Sequence, residues 1–327
     1  MREKGLRVET PPSTMPRMAV VSPEPAVSSS APSGGLALGW VRALRPKQWA
    51  KNVFVFAAMV FAGKLFNGPA WLHTLAAFAI FSAVASAVYL VNDVSDRAAD
   101  VLHPTKRHRP IAAGIVSPAQ ALVTAAVLAA AGLWSAFLLS HELFWIVVIY
   151  LGQSAAYNLG LKRQFLVDAM LVAFGFVLRA VAGAAAIGAE ISPWLLCCTF
   201  LLALFLSFGK RRHELSLLGD GAQAHRSALG QYSLPLLDSW IGSLAAASIV
   251  CYALYTQAPR TVENFRTTQL ILTLPFVIYG LFRYQHLVMR EDRGGDPGSV
   301  LFKDKGMILA VLGWGLTAAV VIYRGAL

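Results

Sequence analysis

The stretch LAAFAIFSAVASAVYLVNDVSDRAADVLHPTKRHRP, residues 75–110, joins an apolar run to a segment dense in charge. The apolar half is close to the roughly 20 residues that a helix needs to cross a bilayer. A basic run, TKRHRP, begins just after the helix-breaking Pro104. Between these parts lie four polar side chains, Asn92, Asp93, Asp96 and Asp100. The stretch therefore predicts a membrane helix that ends in an acidic cluster, with a cationic loop beside it.

The composition of the whole chain is that of a membrane protein. Of its 327 residues, 57% are hydrophobic and only 14% are charged, and the mean hydropathy is +0.58. These values are too apolar for an ordinary soluble domain. Apolar runs recur after residue 50, and they predict an all-α polytopic membrane protein with about nine transmembrane helices. The predicted spans cover residues 50–67, 71–91, 118–139, 143–160, 166–188, 193–209, 236–257, 266–286 and 306–323.

Residues 1–39 differ from the rest of the chain. They are rich in Pro, Ser and charge, and they lack a sustained apolar face or a signal-peptide core. We therefore predict a disordered N-terminal tail followed by one transmembrane domain, residues 40–327. The cysteines Cys197, Cys198 and Cys251 fall inside apolar runs without CxxC spacing, which predicts small buried side chains and no disulfide framework.

Lysine and arginine are distributed unevenly among the predicted loops. With the N-terminal tail on the cytoplasmic side, most of them fall in cytoplasmic loops, as the positive-inside tendency requires. We therefore expect a multi-pass protein of the plasma membrane whose active site opens to the cytoplasm. The net charge of +11 is then explained by topology and by a surface suited to phosphorylated substrates, without a nucleic-acid partner.

The spacing of the four polar side chains predicts a metal site. On one helix, Asn92, Asp96, Asp100 and Asp93 fall at about 0°, 40°, 80° and 100°, little more than a quarter of the circumference. Carboxylates so close repel one another, and a hard cation such as Mg²⁺ relieves the repulsion while leaving positions for phosphate oxygens. The alternative is a solvated helix end in which Asp93 and Arg97 form an i,i+4 ion pair.

Other charged positions cluster at the same predicted face. Lys47 and Lys51 in RPKQWAKN (45–52) share a helical face, and they either anchor the chain at the interface or contact a substrate. The segment YNLGLKRQFLVD (157–168) is either a charged turn or part of a substrate site. Its candidate residues are Tyr157, Lys162 and Asp168.

Two further features lie later in the chain. Arg179 is deep in a predicted span, where a guanidinium costs roughly 2.5 to 3.5 kcal/mol to insert. It should face the bundle interior, either in a polar stripe with Asp168 or paired to a neighbouring helix. The segment SFGKRRHELSLLGD (207–220) contributes Lys210, Arg211, Arg212 and Glu214, which could also attract lipid head groups. The sequence lacks the motifs of zinc hydrolases, P-loop proteins and Rossmann folds.

Several of these segments resemble those of one known superfamily. The matching elements are RPKQWAKN, YLVNDVSDRAADVLHPTKRHRPIAAG (89–114), YNLGLK with Asp168, GFVLRAVAGA (175–184) and SFGKRRHEL (207–215). Together they resemble the UbiA-type intramembrane prenyltransferases, for which NDxxDxxxD is typical. RPKQWAKN, HPTKRHRPIAAG and KRRHEL resemble the branch of actinobacterial decaprenyl-phosphate phosphoribosyltransferases.

The resemblance implies a UbiA-like bundle of nine helices and a specific reaction. In that reaction 5-phosphoribosyl-1-diphosphate would donate its phosphoribosyl group to decaprenyl phosphate in the membrane lipid, giving a precursor of cell-wall arabinan. The expected cofactor, Mg²⁺, would be bound by Asn92 and the catalytic residues Asp93, Asp96 and Asp100. Implied substrate-binding residues are Lys47, Lys51, Asn52, Lys106, Arg107, Tyr157, Lys162, Asp168, Arg179, Lys210, Arg211, Arg212 and Glu214. The resemblance does not determine the oligomeric state, and it is compatible with a homo-oligomer.

The chain departs from the superfamily at one place. Members that use a prenyl diphosphate commonly carry a second aspartate-rich motif after the sixth helix, where this chain has KRRHELSLLGD (210–220). The difference suits a lipid that carries only a monophosphate, for which Lys and Arg suffice. The basic cluster is therefore assigned to that phosphate, although it could equally hold the 5-phosphate of the donor.

Two other functions stay open. An aromatic prenyltransferase would bind a prenyl diphosphate at the same metal site and transfer the prenyl group to a quinone-precursor ring. A transporter or lipid flippase would have similar hydropathy, but its charged residues should lie nearer to the middle of the membrane than these loop-end clusters do.

Overall fold

The computed structural model describes residues 35–103, 105–218, 229–290, 300 and 303–323. Within these ranges the chain forms helices and short turns and contains no β-strand, as predicted for an all-α protein. The predicted tail up to residue 34 and the predicted helix breaker Pro104 lie outside the described residues. The first helix begins at Leu36, shortly before the predicted start of the transmembrane domain.

The described part of the chain alternates long helices with short connections. Its α-helices are, in order, α1 (Leu36–Leu44), α2 (Ala57–Phe61), α3 (Gly68–Ser95), α4 (Arg97–Leu102), α5 (Pro118–Leu139), α6 (His141–Leu159), α7 (Val167–Ala186), α8 (Pro193–Leu218), α9 (Leu234–Gln257), α10 (Pro259–Phe265), α11 (Leu274–Arg290) and α12 (Lys305–Tyr323). Asn67, Ser117 and Ser233 cap α3, α5 and α9 by accepting hydrogen bonds from the first turn, and a proline follows each cap.

Seven helical stretches in the described ranges are long and apolar enough to cross a membrane, namely α3, α5, α7, α8, α9, α12 and α11 together with the 3₁₀ turn that precedes it, Gln269–Thr273. The protein is therefore an integral membrane protein, as predicted. Helix α6 coincides with another predicted span and is 19 residues long, but polar side chains such as Gln153 and Asn158 make it less apolar. The described residues thus support seven spans, and the total of nine stays a prediction.

The first predicted span, residues 50–67, is not one α-helix. A 3₁₀ helix of 11 residues covers Pro46–Phe56, and α2 adds only five more before the chain turns toward α3. We call Pro46–Phe56 the 3₁₀ segment. Runs of this length are uncommon because 3₁₀ hydrogen bonds are poorly aligned. Contacts with neighbouring helices must therefore stabilise it.

One face of α7 provides those contacts. Arg179 donates from Nε to Oδ1 of Asn52 at 2.7 Å, and Asn52 donates in turn to Ser82 of α3 at 3.1 Å. One turn further along α7, a Cβ added to Gly183 would overlap the backbone oxygen of Val55. Glycine is required there because any side chain would push α7 away from the 3₁₀ segment.

Apolar side chains form two main cores that share α7. One core joins α7 to α8, α9 and α11 around Phe205, Leu237 and Tyr284, and the other joins it to α3, α5 and α6 around Phe81 and Val147. Of the seven spanning helices, α7 and α3 are the most buried. Most polar residues on these two helices lie in the interior of the bundle, namely Thr74, Ser82, Ser86, Asp93, Asp168 and Arg179.

The cysteines lie at the contact between α8 and α9. All three are free, and the Sγ atoms of Cys198 and Cys251 are 3.4 Å apart. Cys251 is buried and Cys198 is partly buried, but Cys197 is exposed. The prediction of three buried cysteines is therefore wrong for Cys197.

The helix ends that carry most of the charge meet at one end of the bundle, which we call the charged face. Ion pairs join the end of α3 to the turn before α7, the start of α7 to the end of α8, and the end of α8 to the start of α9. These pairs are Asp96–Lys162, Asp168–Arg211 and Arg212–Asp238. The grouping of charged loops inferred from the sequence is thus present in the fold.

Replacing Gly183 by alanine should destabilise the bundle, because the added methyl group overlaps the 3₁₀ segment and overpacking costs about 1–3 kcal/mol. The measurement is thermal unfolding of the full chain in detergent, followed by tryptophan fluorescence. Gly152→Ala is a matched control, since a Cβ added at Gly152 would have no atom within 4 Å apart from its chain neighbours and the backbone of its own helix. Equal melting temperatures for the two variants would contradict the close approach.

Candidate active site

The acidic motif begins at the end of α3 and continues into α4. Helix α3 ends at Ser95, Asp96 follows with φ −88° and ψ 0°, and α4 starts at Arg97. The single continuous helix assumed for the angular prediction is therefore wrong. Backbone hydrogen bonds from Asp96 to Asn92 and from Asp100 to Asp96, both 2.9 Å, nevertheless keep the path nearly helical. As a result Asp93 and Asp100 still turn toward the same point.

Arg109 occupies that point. Its Nη1 atom is 3.1 Å from Oδ1 of Asp93 and 2.6 Å from Oδ2 of Asp100. The two aspartates are only 2% and 3% exposed, and both contact this one guanidinium. A single cationic atom can therefore lie within contact distance of both carboxylates.

Arg45 supplies a second guanidinium to Asp93. It lies between α1 and the 3₁₀ segment in the left-handed conformation, φ 55° and ψ 57°, and its Nη2 atom is 2.5 Å from Oδ1 of Asp93. Ser86 of α3 accepts a hydrogen bond from Trp49 at 3.0 Å and donates one to the carbonyl of Leu44 at 2.9 Å. The guanidinium also lies over the ring of Tyr89, 5.2 Å from its centroid. Helix α3 thus fixes both the backbone and the side chain of Arg45.

Asp96 has a different environment from the other two aspartates. Its Oδ1 atom accepts a bond of 2.8 Å from Nζ of Lys162, which belongs to the turn between α6 and α7. The side chain of Asp96 is 33% exposed and that of Lys162 is 19% exposed. A pair this accessible contributes about 0–1 kcal/mol to stability. Asp96 is therefore the carboxylate that can change partners at the lowest cost.

The three carboxylates face three cations, which leaves the cluster close to neutral. In the part of the chain that is described, no three acidic, histidine or cysteine side chains are arranged as a ready metal site. The donor chemistry nevertheless suits Mg²⁺, which prefers carboxylate and amide oxygens such as those of Asp93, Asp96, Asp100 and the half-buried Asn92. The position of Arg109 Nη1 between two of these carboxylates shows that one cation can contact both.

Deeper in the bundle, Asn52 and Arg179 lie together. The guanidinium of Arg179 donates to Asn52, to the carbonyl of Gly175 at 2.6 Å and to Oη of Tyr150 at 3.0 Å. It also lies over the rings of Tyr150 and Phe176, at 5.0 Å and 5.5 Å from their centroids. Arg179 is 6% exposed, and all of these partners are uncharged. The predicted stripe shared with Asp168 is replaced by a separate network that joins α6, α7 and the 3₁₀ segment.

Asp168 and Arg211 form a buried ion pair. Both Nε and Nη2 of Arg211 contact Oδ2 of Asp168, with Nε at 3.0 Å. Tyr232, before α9, donates to Oδ1 of Asp168 at 3.2 Å and accepts from the backbone N–H of Leu166. Burial, together with the neighbouring carboxylate, raises the pKa of Tyr232, so the hydroxyl keeps its proton. Asp168 is 0% and Arg211 3% exposed, which indicates a positioning role for the pair.

The rest of the basic cluster on α8 is also paired. Lys210 lies 3.8 Å from Glu214, one turn further along the helix. Arg212 contacts Asp238 at 2.5 Å and the carbonyl of Val288 at 3.1 Å. Each basic side chain of KRR thus has a carboxylate partner within the protein, and the cluster is less available for a phosphate than the sequence suggested.

The remaining predicted residues flank the acidic motif. Lys47 and Lys51 are exposed on the 3₁₀ segment that begins directly after Arg45, and Lys106 and Arg107 are exposed in the 3₁₀ turn that precedes Arg109. Tyr157 is half-buried near the end of α6. These side chains are on the segments that bring cations to the carboxylates.

Sequence reasoning missed Arg45, Arg109, Tyr150 and Tyr232. Arg109 lies within the basic run, but nothing in TKRHRP distinguishes it from its neighbours. Arg45 precedes Lys47 by two residues, and its pairing with Asp93 requires a left-handed backbone that the sequence does not signal. Tyr150 and Tyr232 resemble ordinary interfacial aromatics in sequence. Only the tertiary fold reveals their hydrogen bonds.

The bundle and its charged face define a class of protein. Spanning helices that surround an acidic motif, with cations from three separate segments, have the architecture of an intramembrane transferase. The family model described as the UbiA prenyltransferase family matches residues 52–303, and the chain belongs to that family.

Among the known proteins to which the chain is similar are several decaprenyl-phosphate phosphoribosyltransferases. The one from Mycobacterium tuberculosis (strain ATCC 25618 / H37Rv) is 36% identical over 301 residues, which cover 90% of this chain and 97% of the relative. The one from Corynebacterium glutamicum is 36% identical over 299 residues, 89% of each chain. A solved UbiA homolog from Archaeoglobus fulgidus, bound to GPP and Mg²⁺, has the same fold, with a TM-score of 0.62, 18% identity, and coverage of 88% of this chain and 98% of that one.

Asp168→Asn should destabilise the protein by about 3–5 kcal/mol, because it leaves the buried guanidinium of Arg211 without its counter-charge. The double variant Asp168→Asn/Arg211→Gln should recover part of this loss. The free energy of unfolding in detergent is the quantity to measure. Asp238→Asn is the control, since its side chain is 37% exposed and its pair should contribute less than about 1 kcal/mol. Equal losses for the single and double variants would argue against a coupled pair.

Proposed function

We propose that the protein transfers the 5-phosphoribosyl group from 5-phosphoribosyl-1-diphosphate to decaprenyl phosphate. The products are diphosphate and decaprenylphosphoryl-5-phosphoribose, a lipid-linked precursor of cell-wall arabinan. The observation that carries the proposal is the meeting of three carboxylates with Arg45, Arg109 and Lys162 at the end of a spanning helix. Carboxylates suit a divalent cation and the basic groups suit phosphates, so the site fits a metal-bound diphosphate. Similarity to the two phosphoribosyltransferases over most of the chain supports this substrate pair.

The acidic motif is the proposed place of Mg²⁺. Asn92, Asp93, Asp96 and Asp100 would hold it, and when bound it offsets the negative charge of the diphosphate leaving group. The solved A. fulgidus homolog, which is bound to GPP and Mg²⁺, supports a metal at this fold.

The basic residues around the motif bind the phosphates of the two substrates. Lys47, Lys51, Lys106 and Arg107 are exposed on the segments that carry Arg45 and Arg109 to the carboxylates, and in this proposal they bind phosphate groups from the aqueous side. Asp168 and Arg211 are buried, so they position the start of α7, and with it Lys162, without touching a substrate. Tyr157 faces the ribose in this proposal, and the decaprenyl tail lies along apolar helix surfaces in the bilayer.

The reaction forms one bond and breaks one. An oxygen of the lipid phosphate bonds to C1 of the phosphoribosyl group while the bond from C1 to the diphosphate oxygen breaks, and the electron pair leaves with the diphosphate. No general base is needed because the lipid phosphate is already anionic near neutral pH. Positive charge develops on the sugar ring, as in other glycosyl transfers. Direct displacement inverts the configuration at C1.

The orientation of the site follows from the charge distribution. The basic loops lie at the charged face, and the positive-inside tendency supports a cytoplasmic location for that face. We therefore propose that the protein lies in the plasma membrane and draws its soluble donor from the cytoplasm.

Purified full chain in detergent or nanodiscs should release diphosphate only when 5-phosphoribosyl-1-diphosphate and decaprenyl phosphate are both present with Mg²⁺. Radiolabel in the ribose should appear in the lipid fraction. An aromatic prenyltransferase would instead transfer label from a prenyl diphosphate to hydroxybenzoate, and a transporter would release no diphosphate. Either result, without sugar transfer, would rule out the proposal.

Asp96→Asn should effectively abolish metal-dependent turnover, because it removes a charged ligand from the motif. The expected loss is at least about 10²-fold relative to the unaltered protein. Its stability should change by less than about 1 kcal/mol, since the pair with Lys162 is accessible. Turnover and melting temperature should be measured on the same preparation. Asp304→Asn, which breaks an aspartate–arginine pair outside the motif, is the matched control and should retain turnover. Near-normal activity of Asp96→Asn at saturating Mg²⁺ would count against the metal site.

A further inference from the structure

Two guanidinium groups contact the carboxylate oxygens that the proposed metal would bind. Arg45 and Arg109 both contact Oδ1 of Asp93, and Arg109 also contacts Oδ2 of Asp100. The side chains of Asp93 and Asp100 are 2% and 5% exposed, so they offer little other surface to solvent. A cation that binds these oxygens must therefore compete with the two arginines.

The competition has a predictable cost. A guanidinium that loses its carboxylate in a partly buried site keeps its charge, because arginine does not deprotonate in proteins. Leaving such a charge without a partner is strongly unfavourable. Arg45 and Arg109 are 22% and 27% exposed, too little to be fully hydrated where they stand. A divalent cation alone therefore gains contacts with the carboxylates but leaves the guanidinium groups of Arg45 and Arg109 without counter-charges.

A diphosphate removes that cost. It carries several negative charges and presents pairs of oxygens, which match the forked geometry of guanidinium groups. Arg45 and Arg109 can therefore exchange carboxylate oxygens for phosphate oxygens when a diphosphate enters, and the carboxylates become free for the metal. Binding of each ligand thus favours binding of the other.

We propose that Arg45 and Arg109 are shared counter-ions: they pair with Asp93 and Asp100 until a diphosphate binds, and then pair with the diphosphate. The site consequently binds its divalent cation weakly alone and tightly together with a diphosphate. This inference rests on the proposed function, because it takes a metal-bound diphosphate as the ligand of the motif. It gives the two arginines, which the sequence did not single out, a direct role in substrate binding.

Arg109 should influence the two binding events in opposite directions. Without it, the carboxylates lose a competitor, and a divalent cation alone binds more tightly. The diphosphate loses a partner, and its ability to strengthen metal binding falls. A residue that only supports the fold would weaken both events, so the opposite signs distinguish the two roles.

The experiment measures Mn²⁺ binding to the full chain in detergent by electron paramagnetic resonance, with and without inorganic diphosphate. In the unaltered protein, diphosphate should tighten Mn²⁺ binding by about tenfold or more. In Arg109→Gln, Mn²⁺ alone should bind at least about threefold more tightly, and the enhancement by diphosphate should fall by about tenfold. Arg45→Gln should change both quantities in the same directions by smaller factors.

Arg283→Gln is the matched control. It breaks another arginine–aspartate pair, with Asp304 at 2.8 Å, on α11 and outside the acidic motif. Both Mn²⁺ affinities should stay as in the unaltered protein. Arg109→Lys is a milder variant that keeps the charge but not the forked geometry, and it should lower the diphosphate enhancement while changing the affinity for Mn²⁺ alone much less.

Three results would overturn the inference. One is an affinity for Mn²⁺ that diphosphate does not change, another is unchanged or weaker binding of Mn²⁺ alone in Arg109→Gln, and the third is loss of folding in all the Arg45 and Arg109 variants. The test uses neither sugar nor lipid. Coupled binding without phosphoribosyl transfer would therefore reject the proposed substrates alone, whereas transfer without coupled binding would reject only the shared counter-ions.

Discussion

Mutual repulsion among three carboxylates at the end of a spanning helix is the constraint on which the charged face depends. Asp93, Asp96 and Asp100 lie within two helical turns, beside a membrane that screens charge poorly. Their cations come from three separate parts of the chain: the junction before the 3₁₀ segment, the loop before α5 and the turn before α7. Neutralising the cluster therefore also fastens these segments to α3. The ion pairs that offset the repulsion among the carboxylates therefore also determine the shape of the site.

Much of the fold could be predicted because a bilayer imposes a simple rule on apolar length. The predicted spans that became α3, α5, α7, α8, α9 and α12 are all long, predominantly apolar runs with at most two charged residues each. The 3₁₀ segment could not be foreseen, since hydropathy does not distinguish i→i+3 from i→i+4 hydrogen bonding. Its conformation depends on Asn52 meeting Arg179, and these residues are far apart in sequence.

The candidate site could be predicted only where its geometry depends on residues that are close together in the sequence. The convergence of Asp93 and Asp100 followed from helical spacing and survived the break at Asp96. The pairing of each cation with a carboxylate depends on the tertiary fold, so the sequence does not reveal it. The position of Arg211 in KRR predicts a phosphate partner, but the fold turns its side chain inward to Asp168. Basic residues on one turn of a helix can differ completely in role, and only burial separates them.

The close approach of Gly183 to Val55 has a consequence for how such sequences can vary. The clash would involve a backbone oxygen, so no change of side chain at position 55 relieves it. In a relative with a larger residue at the position of Gly183, the segment that corresponds to Pro46–Phe56 must follow a different path. The basic residues next to that segment, such as the one at the position of Arg45, must then occupy different places as well. Position 183 is thus a marker, readable in an alignment, of whether a homologue places its N-terminal basic residues at the carboxylates in this way.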